Sequence, residues 1–147
     1  MPSTYLSLHY HIVFGTKHRK PFITPEMLPR LHEYLGGTIK GMGGFPQRIG
    51  GVADHVHLLV SLKSTHILAD VMRELKKASS HWVHETLGER QFAWQEGYAA
   101  FTVSATALDA VRGYIANQER HHHVKTFREE LLEMLEKAGV DFNPDDV

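Results

Sequence analysis

Apolar and polar positions alternate near the start of the chain. Leu6, Leu8, Tyr10, Ile12 and Phe14 fall on one side of an extended segment over residues 4–15; Ser7, His9 and His11 fall on the other. The pattern predicts a strand with one core face, ended by Gly15 and followed by the basic loop Thr16-Lys17-His18-Arg19-Lys20. The period then becomes helical. Thr24-Pro25 supplies a cap and a first position, and Leu28, Leu31, Leu35 and Ile39 form a stripe reaching the glycines at 41–44. Residues 46–53 and 54–62 read as two strands. A second helix follows Ser64-Thr65, with Leu68, Val71, Leu75, Trp82 and Val83 on its buried side. The end of 92–103 reads as a fourth strand. Residues 105–120 read as a third helix, capped by Ser104, and residues 125–138 as a last amphipathic helix with Phe127, Leu131, Leu132 and Leu135 apolar.

The order is β-α-β-β-α-β, then two helices. Right-handed crossovers fold such an order into an α+β, ferredoxin-like (RRM-like) sandwich with an antiparallel sheet. Two helices cover one sheet face, and the other face is expected to be open. On the third strand His55 and His57 share a side with Leu59 and Ser61, while Val56, Leu58, Val60 and Leu62 fill the opposite side. The first and third strands are neighbours in this topology, so the open face collects His9, His11, His55 and His57. Two imidazoles one residue apart on a rigid strand can turn to one divalent ion. An isolated His-x-His is as readily a polar pair on a solvated face, and spacing alone does not choose among the four histidines.

Composition narrows the setting. The 147 residues, 42% hydrophobic, suit one domain over 1–147, with a core at 4–120 and a C-terminal helix and acidic tail at 121–147. No apolar run is long enough for a membrane span, no signal peptide is visible and there is no cysteine, so a reducing cytoplasm is the expected location. Twelve histidines make metal chemistry worth pursuing. Net charge is −1, but residues 1–84 hold ten Lys/Arg against five Asp/Glu, and residues 85–147 six against twelve. A basic first half can present a patch to phosphates. Its candidates are Lys17, Arg19 and Lys20, which read equally as a solvated loop, and Arg73, Lys76 and Lys77, each of which taken alone reads more readily as part of a solvated face.

A second constellation lies in the third helix, where Tyr114 and Gln118 are four apart and share a face. A tyrosine hydroxyl can attack phosphorus when a cation stabilises the non-bridging oxygens. Two imidazoles and an amide oxygen, without thiolates, suit Mg²⁺ or Mn²⁺ better than structural zinc.

With these residues together, the chain resembles the HUH-superfamily single-tyrosine transposases of the insertion-sequence 200/605 family, which include the REP-associated tyrosine transposases. The carrying segments are Tyr10-His11-Ile12-Val13-Phe14, Asp54-His55-Val56-His57-Leu58-Leu59-Val60, Trp94-Gln95-Glu96-Gly97-Tyr98 and Tyr114-Ile115-Ala116-Asn117-Gln118, spanning residues 5–118. The resemblance implies that His55, His57 and Gln118 hold the metal and that Tyr114 is the nucleophile. It further implies cleavage and rejoining of single-stranded DNA with hairpin ends through a 5′-phosphotyrosine. The working unit implied is a homodimer whose active sites combine the histidines of one chain with the tyrosine of the other. His121-His122-His123 reads as a helix-end cluster favourable to the helix dipole when charged; His121, on the Tyr114 side, reads alternatively as a surrogate ligand or a proton carrier. The acidic last helix is assigned no chemistry. Other readings are a domesticated nickase of repeated palindromes, a non-catalytic single-strand binder, and a histidine-rich metal-binding protein. The binder would want aromatics where this sheet carries histidines, and the metal-binding protein leaves Tyr114 and Gln118 unexplained.

Overall fold

The two strands with the cleanest alternation become the centre of the sheet. The structure is a computed structural model that describes residues 3–147; residues 1 and 2 of the expected domain lie outside the described residues. The strands are β1 (His9–Gly15), β2 (Phe45–Val52), β3 (His55–Ser61) and β4 (Ala99–Val103), ordered β2-β3-β1-β4 with antiparallel neighbours throughout. Helices α1 (Met27–Gly41) and α2 (Leu68–Thr86) complete the ferredoxin-like unit. They are followed by α3 (Leu108–Ala116), α4 (Gln118–His121) and α5 (Phe127–Ala138).

Several boundaries move for local reasons. The first strand begins at His9 rather than at residue 4 because its partner ends at Ser61, with which His9 pairs. The Thr24 side chain does cap α1, accepting the Met27 N–H at 3.2 Å, although the regular turns start at Met27. The second helix starts at Leu68 because residues 63–66 form a turn in which the Lys63 N–H donates to His66 Nδ1 at 2.9 Å. The expected third helix is broken at Asn117, whose ψ of 19° separates α3 from α4.

Under α1 and α2 lies the main apolar core, in which Ile12, Phe14, Val56, Leu58 and Val60 of the sheet meet Leu31, Leu35, Ile39, Val71, Met72 and Leu75. The expectation of an open second face is corrected. Helix α3 packs on β2 and β3, and α5 packs on β1 through a smaller cluster of Val13, Phe127 and Leu131. Two glycines permit these approaches. A Cβ at Gly50 would stand 2.5 Å from the Ile115 carbonyl oxygen, and one at Gly15 would stand 2.8 Å from the Phe127 ring. The C-terminal half therefore roofs the face that carries the histidines.

Candidate active site

Beneath that roof the structure buries a group of ionisable and polar side chains. His11, His55, His57, Gln118 and Glu130 are all buried, three of them on the sheet and two on the covering helices. An unpaired charge there would cost several kcal/mol, so each must find partners. They find one another. Glu130 Oε1 lies 3.3 Å from His55 Nε2, 3.0 Å from His57 Nε2 and 3.1 Å from His122 Nε2. Glu130 Oε2 accepts hydrogen bonds from the Tyr114 hydroxyl and, at 3.0 Å, from Gln118 Nε2. Gln118 Oε1 faces His55 Nε2 at 3.2 Å and His122 Nε2 at 3.0 Å.

The outer nitrogens are held as well. His55 Nδ1 meets the Asp54 carboxylate at 2.8 Å, His57 Nδ1 meets His11 Nε2 at 2.8 Å, and His122 Nδ1 meets the Lys125 carbonyl oxygen at 2.7 Å. The His55 ring also stacks flat on Phe127, centroids 4.0 Å apart, and the Arg19 guanidinium lies over the same phenyl ring, 4.8 Å from its centroid.

Electrostatics follow from this crowding. Burial alone would lower the His55 pKa, but the Asp54 and Glu130 carboxylates outweigh it and raise it. His57 is lowered by its burial, against the pull of Glu130. His11, buried beside His57, falls to about 3 and is neutral near pH 7. Burial would raise Glu130, yet hydrogen bonds from His122, His55 and His57 hold it far below the ordinary carboxylate range. Burial and the adjoining Glu130 carboxylate raise the Tyr114 phenol, so the free chain keeps it protonated.

Sequence and structure can now be matched residue by residue. His55, His57, Tyr114 and Gln118 are brought together within one chain; the Tyr114 ring lies 5.8 Å from His57, centroid to centroid. The crossed arrangement expected from the resemblance involves a second chain, and the single chain describes only the placement of its own α3. The connection from β4 to α3 is a short 3-10 turn, Ala105–Ala107, and α3 lies on β2 and β3 of its own chain. Of the other sheet histidines, His11 backs His57, whereas His9 pairs with Ser61 at 2.6 Å, away from the cluster.

Two participants were missed. Glu130 sits on the helix that sequence reasoning left without chemistry. His122 was placed among helix-end residues, but its ring reaches into the cluster, and His121 Nε2 lies 3.4 Å from the Tyr114 hydroxyl. A signal for Glu130 existed: Phe127, Glu130, Leu131 and Met134 follow a helical i, i+3, i+4, i+7 stripe, so a carboxylate occupies an apolar face. Nothing in the run of three histidines distinguishes His122.

Of the basic candidates, Lys17, Lys20, Arg73 and Lys77 are exposed, with Arg73 paired to Asp70 at 3.0 Å. Arg19 is partly covered by its contact with Phe127. Lys76 differs: its ammonium donates to the carbonyl oxygens of Gln95 and Gly97, and burial lowers its pKa to about 8.

Donor chemistry tests whether a divalent ion fits. Ligand atoms of His55, His57, His122 and Glu130 lie within 4.8 Å of one another, and the imidazole nitrogens and carboxylate oxygen are of the kind such ions take. The residues fit.

A ferredoxin-like sheet with a His-x-His strand, facing a helix that carries a tyrosine and a glutamine, defines the HUH class of single-tyrosine transposases. The chain belongs to the IS200-like transposase family, whose model matches residues 4–118. It is 26% identical over 117 residues to the ISDra2 transposase TnpA of Deinococcus radiodurans, covering 76% of this chain and 84% of that protein. The crystal structure of a protein from Deinococcus radiodurans R1, assigned as a transposase, is similar in fold, with a TM-score of 0.63 at 24% identity over 80% of this chain and 96% of that one. A REP-associated tyrosine transposase bound to a REP hairpin has a TM-score of 0.60 at 14% identity, over 83% of this chain and 74% of that one. Among the described residues no helix is long and apolar enough to cross a membrane.

Proposed function

We propose that the chain is a metal-dependent transposase that cleaves and rejoins single-stranded DNA at element ends, with Tyr114 as the nucleophile. The observation that carries this reading is the convergence, in one chain, of the Tyr114 hydroxyl with His55, His57 and Gln118 around the Glu130 carboxylate. His55, His57 and Gln118 would hold Mg²⁺ or Mn²⁺, which when bound stabilises charge on the non-bridging phosphate oxygens.

The chain's own groups do the rest. The Tyr114 oxygen attacks phosphorus and its proton leaves to solvent water, while Glu130 Oε2, the hydrogen-bond acceptor already in place, orients the hydroxyl. The bond from phosphorus to the 3′ oxygen breaks, and that oxygen leaves as a 3′-hydroxyl after taking a proton from water. The product is a 5′-phosphotyrosine of similar bond energy, so attack by a second 3′-hydroxyl rejoins strands without an external energy source. Asp54 fixes the His55 ring, and neutral His11 does the same for His57.

Hairpin-ended DNA is the proposed partner, supported by the hairpin in the REP-associated relative. Exposed Lys17, Lys20, Arg73 and Lys77, with Arg19 beside them, are proposed phosphate contacts. Lys76, engaged with backbone carbonyls, is proposed to shape the Gln95–Gly97 segment and contribute less. A homodimer working in a prokaryotic cytoplasm completes the proposal; β2 and β4 are the sheet edges open to pairing. In the proposed dimer the histidines of one chain serve the tyrosine of the other. The test incubates the protein with single-stranded DNA from the flanks of its own gene and either ion. A covalent adduct that survives a denaturing gel is the expected result; hairpin binding without an adduct would contradict the enzyme and favour a binding module.

A further inference from the structure

The family match ends at residue 118, yet two of the four side chains gathered as potential ligands lie beyond it. We propose that the C-terminal segment completes the metal site, with Glu130 of α5 and His122 after α4 as ligands beside His55 and His57, and that this donor set makes the site select Mn²⁺ over Mg²⁺. The inference rests on the reading of His55 and His57 as a metal-binding pair and extends it.

Hydrogen-bond valence carries the argument. A carbonyl oxygen only accepts, so the Lys125 carbonyl, 2.7 Å from His122 Nδ1, requires that nitrogen to carry its proton. In a neutral ring the lone pair then sits on Nε2, and that nitrogen faces Glu130 Oε1 at 3.1 Å and Gln118 Oε1 at 3.0 Å. Three acceptors facing one another need a cation among them. The same pattern repeats at His55, whose Nδ1 faces the Asp54 carboxylate while Nε2 faces Glu130 and Gln118. At His57, Nδ1 is taken up by His11 and Nε2 faces Glu130. A neutral His57 can meet Glu130 with Nε2–H if His11 Nε2–H donates to its Nδ1, but ring protons would serve His55 and His122 only by making both imidazolium ions, their centroids 4.5 Å apart. One divalent ion satisfies all three rings at once. Anchoring of the outer nitrogen by a carboxylate or carbonyl is how metal-bound histidines are generally oriented.

The roles of the neighbours follow. Glu130 bridges, offering Oε1 to the ion while Oε2 holds the Tyr114 hydroxyl and the Gln118 amide. Gln118 keeps its Oε1 at the site and steers Glu130 with its N–H₂. Three imidazoles with one carboxylate form a nitrogen-rich set; Mg²⁺ prefers oxygen and keeps its waters, whereas Mn²⁺ accepts imidazole more readily. Bound metal also ties α5 to the sheet.

The experiment uses the full chain and Mn²⁺ itself. Pulsed electron paramagnetic resonance counts the imidazole nitrogens coupled to bound Mn²⁺ in the unaltered protein, and titration of the free-ion signal gives affinity for the wild type, E130Q and H122A. Three coupled imidazoles are expected, with each variant weakening Mn²⁺ at least about tenfold, the scale seen when metal surroundings are removed. Mg²⁺ is expected to displace Mn²⁺ only at a large excess. Two coupled imidazoles, variant affinities within twofold of wild type, or no Mn²⁺ binding at all would overturn the proposal. His122 lies at the margin of the cluster, so H122A tests it even if E130Q does not fold, and the nitrogen count needs no variant. The same preparations are assayed for the DNA adduct. Three imidazoles without an adduct keep the ligands and reject the transposase chemistry; an adduct with two imidazoles does the reverse.

Discussion

The two faces of the sheet are built from alternate residues of the same strands, yet they are held by different physics. The core under α1 and α2 is apolar apart from Ser79, which accepts from the Trp94 N–H, with Leu58, Val60 and Ile12 fully buried against Leu31, Leu35 and Leu75. The face under α3 and α5 buries His11, His55, His57, Gln118 and Glu130 beside an apolar cluster of Val13, Phe127 and Leu131, with Leu59 and Ile115 also buried. Apolar burial is favourable wherever it occurs and asks only for fit. Buried ionisable groups are favourable only when every one is matched, and removing one partner strands the others. The difference separates tasks: one face keeps the chain folded, and the other holds a reactive arrangement at some cost to stability.

That contrast can be broken in order of size. Leu58→Ala should cost about 2–5 kcal/mol in chemical denaturation, because it opens a cavity in the apolar face. Adduct formation per folded molecule should be unchanged below the new melting point. Phe127→Ala removes a larger ring, but its cost should be smaller than that of Leu58→Ala because α5 can leave locally. Hydrogen exchange should show α5 amides losing protection while those of α1 and α2 keep theirs. His57→Ala should abolish stabilisation by metal: at 100 times its dissociation constant Mn²⁺ adds about 2.7 kcal/mol to the wild type, and the variant's melting temperature should not respond.

The smallest effect concerns His32 of α1, which lines a cavity with Ile49, Ile115 and Glu119. Its Nε2 is buried without a partner, and burial lowers its pKa from 6.5 to about 4. The unfolded chain therefore takes up this proton at higher pH than the folded one does. Stability from neutral His32 is complete above pH 6.5 and is lost as pH falls towards about 4. His32→Leu should flatten that part of the curve, checked by denaturation at several pH values; an unchanged slope would place the acid sensitivity elsewhere.

The same contrast explains what was legible in the sequence. Strand alternation placed Val56, Leu58 and Val60 in the core and the His-x-His pair on the other side, because a period of two is fixed by the backbone. Tyr114 and Gln118 were legible as a pair through helical spacing, although the break at Asn117 was not. Nothing local says that α5 folds back across the sheet, since that depends on Gly15 admitting Phe127, two residues far apart in sequence. Capping of α5 was readable, as Thr126 and Glu129 form a reciprocal capping box. The destination of Glu130 was not, because a single carboxylate on an amphipathic helix becomes meaningful only once its apolar neighbours have chosen a face.

The central claim is that the Tyr114 oxygen forms the bond to DNA. Its most direct test digests the covalent adduct made with hairpin-ended single-stranded DNA and locates the nucleotide by tandem mass spectrometry. The account predicts a 5′-phosphate mass on Tyr114 in the wild type and no adduct from Tyr114→Phe, which still binds the hairpin. An adduct that persists in Tyr114→Phe, or one mapped to Tyr98, would contradict it.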